Sequence, residues 1–153
     1  MDVKDNRSKP ALQFAIRPLQ KNDMKQVVTL LKENMSAFEP DMAEYEAIWT
    51  RYNSQQNMHG FVAVVDGVIA GYASIFIEIK IRGGHVGHIE DIVTTAAHRR
   101  QGIGTKLLQT LLQVAKETSC YKVSGAIQPY NMKFYNSAGY RADGISISQM
   151  VEK

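Results

Sequence analysis

The chain has 153 residues, 44% hydrophobic and 22% charged, which suits one domain with a substantial core. A formal charge of +3 is too small to argue for nucleic acid but suits a small anionic ligand, and one cysteine excludes an internal disulfide and points to an intracellular setting. No run of about 18 apolar residues spans a membrane, no repeat is visible, and His85 and His88 are too few for a structural zinc site, so no metal is expected.

The first ten residues, MDVKDNRSKP, are polar, lack an apolar signal core and read as a loose tail before a single domain over 11–153. Residues 12–17 alternate apolar and polar, which predicts a strand ended by Pro18. Asn22 or Asp23 can cap a helix running to about Glu33, with Met24, Val27, Val28 and Leu31 on one face. A second helix is predicted over 40–56, with Met42, Tyr45, Ile48, Trp49 and Tyr52 inward and Trp49 in the core. Residues 60–65 form a strand, Asp66-Gly67 a hairpin turn, and 68–79 the returning strand. A basic turn, Lys80-Ile81-Arg82-Gly83-Gly84, leads to a central strand over 86–94.

A helix over 104–118 follows, with Leu107, Leu108, Leu111 and Leu112 on one face. Residues 120–126 are another strand, broken at Gln128-Pro129, and 131–138 a short helix closed by Gly139. Residues 145–151 alternate as a last strand. The order β-α-α-β-β-β-α-β-α-β is that of a mixed α/β layer domain.

Two stretches carry chemistry. Glu90 and Asp91 are adjacent carboxylates inside an apolar, β-branched run, where charges need partners. Arg99-Arg100-Gln101-Gly102-Ile103-Gly104-Thr105 joins that strand to the leucine-faced helix. Small residues there let backbone approach a pyrophosphate, the free N–H groups of a helix start point at its charge, and two arginines add to it. A dinucleotide fingerprint fits less well, since its third glycine falls where Leu107 stands.

The spacing from Arg99 or Arg100 through Gln101, Gly102 and Gly104 resembles the Arg/Gln-x-x-Gly-x-Gly/Ala signature of the Gcn5-related N-acetyltransferases, whose loop holds the pyrophosphate of acetyl-CoA. The order of elements also matches that fold. Within the superfamily, Gly87-His88-Ile89-Glu90-Asp91-Ile92-Val93 and Cys120-Tyr121-Lys122, followed by Asn131 and Phe134-Tyr135, resemble blocks of the glucosamine-6-phosphate N-acetyltransferases. The resemblance covers roughly residues 60–153.

It implies acetyl transfer from acetyl-CoA to the 2-amino group of glucosamine 6-phosphate, for UDP-N-acetylglucosamine synthesis, by direct attack. It also implies a bulge at Glu90-Asp91 that splays the central strand and frees backbone N–H groups near Ile92 and Val93 to polarise the thioester. Glu90 is then the candidate for holding the amine and accepting its proton, and Asp91 for binding the amine or sugar hydroxyls. Tyr135 is the candidate acid for the departing thiolate, and Asn131 a partner of the pantetheine arm. Arg99, Arg100, Gln101, Gly102, Ile103, Gly104 and Thr105 are expected to hold the coenzyme.

Lys80, Arg82, Lys122 and Lys153 are candidate phosphate cations; a solvated charge is the better reading of Lys153. The Ser36 region is a further, poorly matched source of a substrate hydroxyl contact. The segment with Tyr121 and Lys122 reaches across a dimer in the family, so a homodimer with composite sites is expected. Cys120 reads as a small buried residue. Where the family carries an acid six positions beyond the cysteine, this chain has Ala126. Two rivals stay open: acetylation of a peptide or polyamine, disfavoured by the lysines and Arg82, and a non-catalytic acyl-CoA-binding module. A cytoplasmic setting is expected, with entry into an organelle left open.

Overall fold

The computed structural model describes residues 11–35 and 39–152. The tail over 1–10, the Ser36 region and Lys153 lie outside the described residues. The elements are β1 (Ala15–Pro18), α1 (Met24–Asn34), α2 (Tyr45–Asn53), β2 (Met58–Val65), β3 (Val68–Ile79), β4 (His85–Thr94), α3 (Ile103–Glu117), β5 (Cys120–Ser124) and α4 (Met132–Ser137). The strands form one sheet in the order β1-β2-β3-β4-β5. The first four are antiparallel neighbours, and β5 lies parallel to β4 across the crossover made by α3. This is the mixed sheet flanked by helices that the chain order predicts.

Alternation along the strands splits the core in two. On one face Ile75, Ile77 and Ile89 meet Ile103, Leu107, Leu108 and Leu111 of α3. On the other Val62, Ile69, Tyr72 and Val93 meet Val27 and Leu30 of α1. Gly71 explains how closely α3 lies on the sheet. A Cβ there would stand 2.9 Å from Ile103 Cγ2, 3.0 Å from Leu107 Cδ1 and 3.2 Å from the Val93 carbonyl.

The N-terminal corner is fastened by a partly buried ion pair. Arg17 donates to both carboxylate oxygens of Asp23, at 2.7 and 2.8 Å, and the Gln20 N–H donates to the same carboxylate at 2.8 Å. Asp23 ends the turn that starts α1, so the pair ties the edge strand to the helix layer.

Three expectations are corrected. The second helix is shorter than 40–56: a turn over Met42–Glu44, capped reciprocally by Asp41 and Glu44, precedes α2 and leaves Met42 exposed. Trp49 is half-buried rather than core, because it stacks on Tyr52 (centroids 6.2 Å apart) while Tyr52 makes the contact with the sheet. No strand forms over 145–151: Ile145 and Ile147 are 93% and 91% exposed. A strand needs an edge to satisfy its backbone, and this segment pairs with no strand among the described residues. Smaller shifts have local causes. The first strand begins at Ala15 and includes Pro18, tolerated because β1 is an edge strand.

The Arg17 guanidinium holds the Asp23 carboxyl below the usual carboxylate range. That contribution to stability is present above the unfolded-state pKa and is lost as pH falls through the depressed folded value. Asp23→Asn is expected to lower the unfolding free energy at pH 7 by about 2 kcal/mol, with the gap to wild type closing below about pH 4. Urea denaturation at several pH values measures this, and equal midpoints at pH 7 would sink it.

Candidate active site

The site begins with a break in the β3–β4 ladder. Ser74 pairs with Glu90 and Tyr72 with Val93, so Asp91 and Ile92 together oppose Ala73 alone. This is a β-bulge, and Asp91 occupies the left-handed region at φ 45°. On a regular strand Glu90 and Asp91 would face opposite sides of the sheet. The extra residue places both on the α1–α2 side, where they line one cavity of about 640 Å³ with Tyr52, Gln55, Met58, Tyr72, Ser74, Phe76, Glu78 and His88. Beyond the bulge the alternation is shifted by one, so Ile92 packs toward α3 and Val93 toward α1.

The cavity wall sets the carboxylates' properties. Both reach solvent through the open mouth, yet burial pushes each pKa up, and for Glu90 the neighbouring Asp91 charge adds to the effect. The buried Ser74 hydroxyl donates to the Glu90 carbonyl at 3.2 Å and steadies the start of the bulge. Deeper in, the Tyr52 and Tyr72 hydroxyls lie 3.4 Å apart, and burial raises both phenols above their ordinary range. At the other end Glu78 meets His88 Nε2 at 2.8 Å and Lys80 Nζ at 3.0 Å. Those two contacts hold the Glu78 carboxyl below its ordinary range.

The far side of β4 opens as well. β5 pairs with β4 only as far as His88 and Ser124, so Ile89–Thr94 have no partner on that edge. Gly125 comes so close to β4 that a Cβ would stand 3.3 Å from the Ile89 carbonyl, and the chain then leaves the sheet. Past that point the chain leads to the segment carrying Asn131 and Tyr135. Tyr135 is 9% exposed, edge-on to Phe134 and Tyr140, and burial raises its phenol. Phe134 in turn lies 3.5 Å from where a Cβ of Gly104 would stand, so α4 rests on the start of α3.

That helix start is open. Gly102 caps α3 at φ 90° with nothing near its Cα, and Arg100 precedes it at φ 60°. The first helical bond runs from the Lys106 N–H to the Gly102 carbonyl, so the N–H groups of Ile103, Gly104 and Thr105 have no partner within the helix. The Ile103 side chain is buried, leaving only its backbone for a ligand. Arg99 reaches back to α1 and donates to Asn34 Oδ1 at 2.7 Å. This end of α3 fits a pyrophosphate.

The remaining candidates divide. Lys80 stands at the cavity through Glu78. Arg82 and Tyr121 meet elsewhere, beside Lys122 in the chain: Arg82 donates to the Tyr121 hydroxyl at 3.3 Å, and the Tyr121 ring covers Gly84. This cluster sits beside His85, five residues and about 17 Å along β4 from Glu90. Lys122 also meets Asp143 at 3.7 Å. Ala126 is exposed just past β5.

The sequence reading passed over Tyr72, Ser74 and Glu78, whose signal was polar alternation within β3, and His88, two positions before Glu90. It also missed Tyr140, whose hydroxyl is buried without a partner among the described residues. A second cavity of about 410 Å³ between β1 and α3 has Arg17 and Lys106 on its wall but no carboxylate. Among the described residues no group of three His, Cys, Asp or Glu side chains could hold a metal ion. No helix among them is long and apolar enough to cross a membrane.

The profile of the Acetyltransferase (GNAT) family matches residues 24–140. Glucosamine 6-phosphate N-acetyltransferase 1 of Oryza sativa subsp. japonica is 30% identical over 83% of this chain and 81% of its own. The glucosamine 6-phosphate N-acetyltransferase of Candida albicans is 28% identical over 88% of this chain and 93% of its own. The crystal structure of glucosamine-6-phosphate N-acetyltransferase from Arabidopsis thaliana superposes with a TM-score of 0.84 at 27% identity, covering 92% of this chain and 99% of that one. With the bulged central strand and the open start of α3, these likenesses mean that the chain belongs to the GNAT acetyltransferase family, among the glucosamine 6-phosphate N-acetyltransferases.

Proposed function

We propose that the protein transfers acetyl from acetyl-CoA to the 2-amino group of D-glucosamine 6-phosphate, giving N-acetylglucosamine 6-phosphate and CoA. The observation that carries this reading is the bulge, which turns two carboxylates into one sugar-sized cavity beside the open edge of β4. The acceptor is the one named for the Oryza, Candida and Arabidopsis relatives. The product would feed synthesis of UDP-N-acetylglucosamine in the cytoplasm, a compartment that suits a chain with a single cysteine.

Acetyl-CoA supplies the activated acyl group and a thiolate leaving group. Backbone N–H groups of Ile103, Gly104 and Thr105, with Gln101, Gly102 and the Arg99–Arg100 pair, hold its pyrophosphate. Asn131 holds the pantetheine arm. Backbone of Ile92 and Val93 at the unpaired edge polarises the carbonyl oxygen. Asp91 orients the amine and sugar hydroxyls, Glu90 takes the ammonium proton, and Tyr135 protonates the sulfur. A carboxylate with a raised pKa is the stronger base for the proton step. Attack is direct: Cys120 touches the Thr118 hydroxyl at 3.6 Å and has no His–acid pair to activate it among the described residues.

Lys80, which meets the cavity through Glu78, is the phosphate cation of its own chain. Arg82, Tyr121 and Lys122 line no part of that cavity. They would serve a partner's cavity in a homodimer. Ile145 and Ile147, exposed and unpaired in their own sheet, belong to the segment through which two copies would join by pairing it as a strand.

Thiol release from acetyl-CoA is expected with glucosamine 6-phosphate, and much more slowly with glucosamine, spermidine or a lysine peptide. Turnover confined to the peptide or polyamine would overturn the acceptor. Tyr135→Phe is expected to lower kcat by about a hundredfold. Activity should fall as pH drops through the raised Glu90 pKa, so the acid limb lies above the ordinary glutamate range and flattens in Glu90→Gln.

Truncation after Gly144 tests the assembly by light scattering. Halving of the particle mass, with loss of sugar acetylation but retained CoA binding, is the expected result. A full-length chain that is monomeric would refute the composite site.

A further inference from the structure

Acetylating an ammonium group leaves one proton over. Of the three N–H bonds of the ammonium, one survives in the amide; one proton compensates for that gained by the departing thiolate, and the other must reach solvent. Glu90 can accept a proton, but a sugar seated in the cavity would cover the mouth through which Glu90 otherwise reaches solvent, so the proton needs a second way out before the next turnover.

We propose that His88 relays this proton from Glu90 to solvent, with Glu78 orienting its ring; the proposal rests on the acetyl-transfer reading above. Both His88 and Glu90 line the cavity. They are two residues apart on β4, before the bulge, so they share a face at a Cα spacing of about 7 Å. A water bridging the two side chains would complete the path. His88 Nε2 lies 2.8 Å from Glu78 Oε1, and Lys80 Nζ lies 3.0 Å from the same oxygen. Lys80 favours the ionised carboxylate, which takes the Nε2–H bond and leaves the Nδ1 lone pair as the proton acceptor.

The step balances. An N–H bond of the ammonium breaks as an O–H bond forms on Glu90. That O–H breaks as an N–H forms at His88 Nδ1 through the water. The imidazolium then gives its proton to solvent; its side chain is 35% exposed at the cavity mouth. The surrounding titratable groups are Glu78 and Lys80 from the β3 end, Glu90 and Asp91 on β4, and Tyr52 and Tyr72 deeper in the cavity. From β5 the residue paired with His88 is Ser124, which does not titrate.

The test is thiol release by the full chain carrying His88→Gln or His88→Ala, across pH and with added imidazole. Matched melting temperatures and CoA affinities guard against misfolding. At least about a tenfold loss of kcat is expected in both variants. KM for both substrates should stay within about twofold. Imidazole should restore His88→Ala in a saturable way, and Glu78→Gln should shift the pH profile.

Unchanged kcat in His88→Ala, a loss confined to KM for the sugar phosphate, or a deficit that imidazole leaves untouched would each overturn the relay. Should wild type acetylate only a different amine, the acceptor reading falls and the same variants test the relay on that amine. Wild type inactive on every amine overturns acetyl transfer and the relay together.

Discussion

One extra residue in β4 governs the rest of the molecule. Without the bulge, strict alternation would send Glu90 to one helix layer and Asp91 to the other, and neither face would hold the two together. The bulge costs a non-glycine residue in the left-handed region, at Asp91, a strain on the order of 1 kcal/mol. The surroundings hold it there: Ser74 bonds the Glu90 carbonyl, and ladder pairs resume at once between Tyr72 and Val93. The same break shifts the strand beyond it, so Val93 closes the α1 core while Ile92 seals the α3 side.

Charge is distributed around that break in two opposite senses. The open start of α3, flanked by Arg99 and Arg100, suits an anion. Across β4, burial makes Glu90 and Asp91 reluctant anions and so better proton acceptors. Glu78 differs from both because hydrogen bonds from His88 and Lys80 favour its ionised form. Three carboxylates on one wall thus have two protonation tendencies, set by partners rather than by residue type. The Arg17–Asp23 pair lies apart from this wall and serves the fold.

The general plan was legible because local rules agreed with the global fold. The Asp66-Gly67 turn and the alternation after it gave β3 its limits, and the leucine stripe set which face of α3 is buried. The bulge was not legible from periodicity, since the run around Glu90-Asp91 reads equally as a regular strand; it was expected only through resemblance to a family. Trp49 misled because a large aromatic on a periodic helix looks like core, whereas here it shields Tyr52. The pattern over 145–151 is that of a half-buried strand, but the edge it would need is not supplied by its own sheet. The contact between His88 and Glu78 escaped notice because it depends on the register of β3 against β4, which no local pattern encodes.

Gly71 has a consequence for how far the two ends of the reaction stand apart. Its missing side chain lets Ile103 and Leu107 rest almost on the main chain of β3, and β3 carries the bulged strand through its hydrogen-bond ladder. The span from the open helix start to the carboxylates is therefore measured largely in backbone. Bond lengths and ladder spacings vary by tenths of an ångström, whereas side-chain rotamers vary by several. The walls of the cavity, such as Met58 and Phe76, can change to admit a different amine while the acyl group still arrives at the same place. A scaffold gauged in this way separates the evolution of acceptor choice from the geometry of transfer.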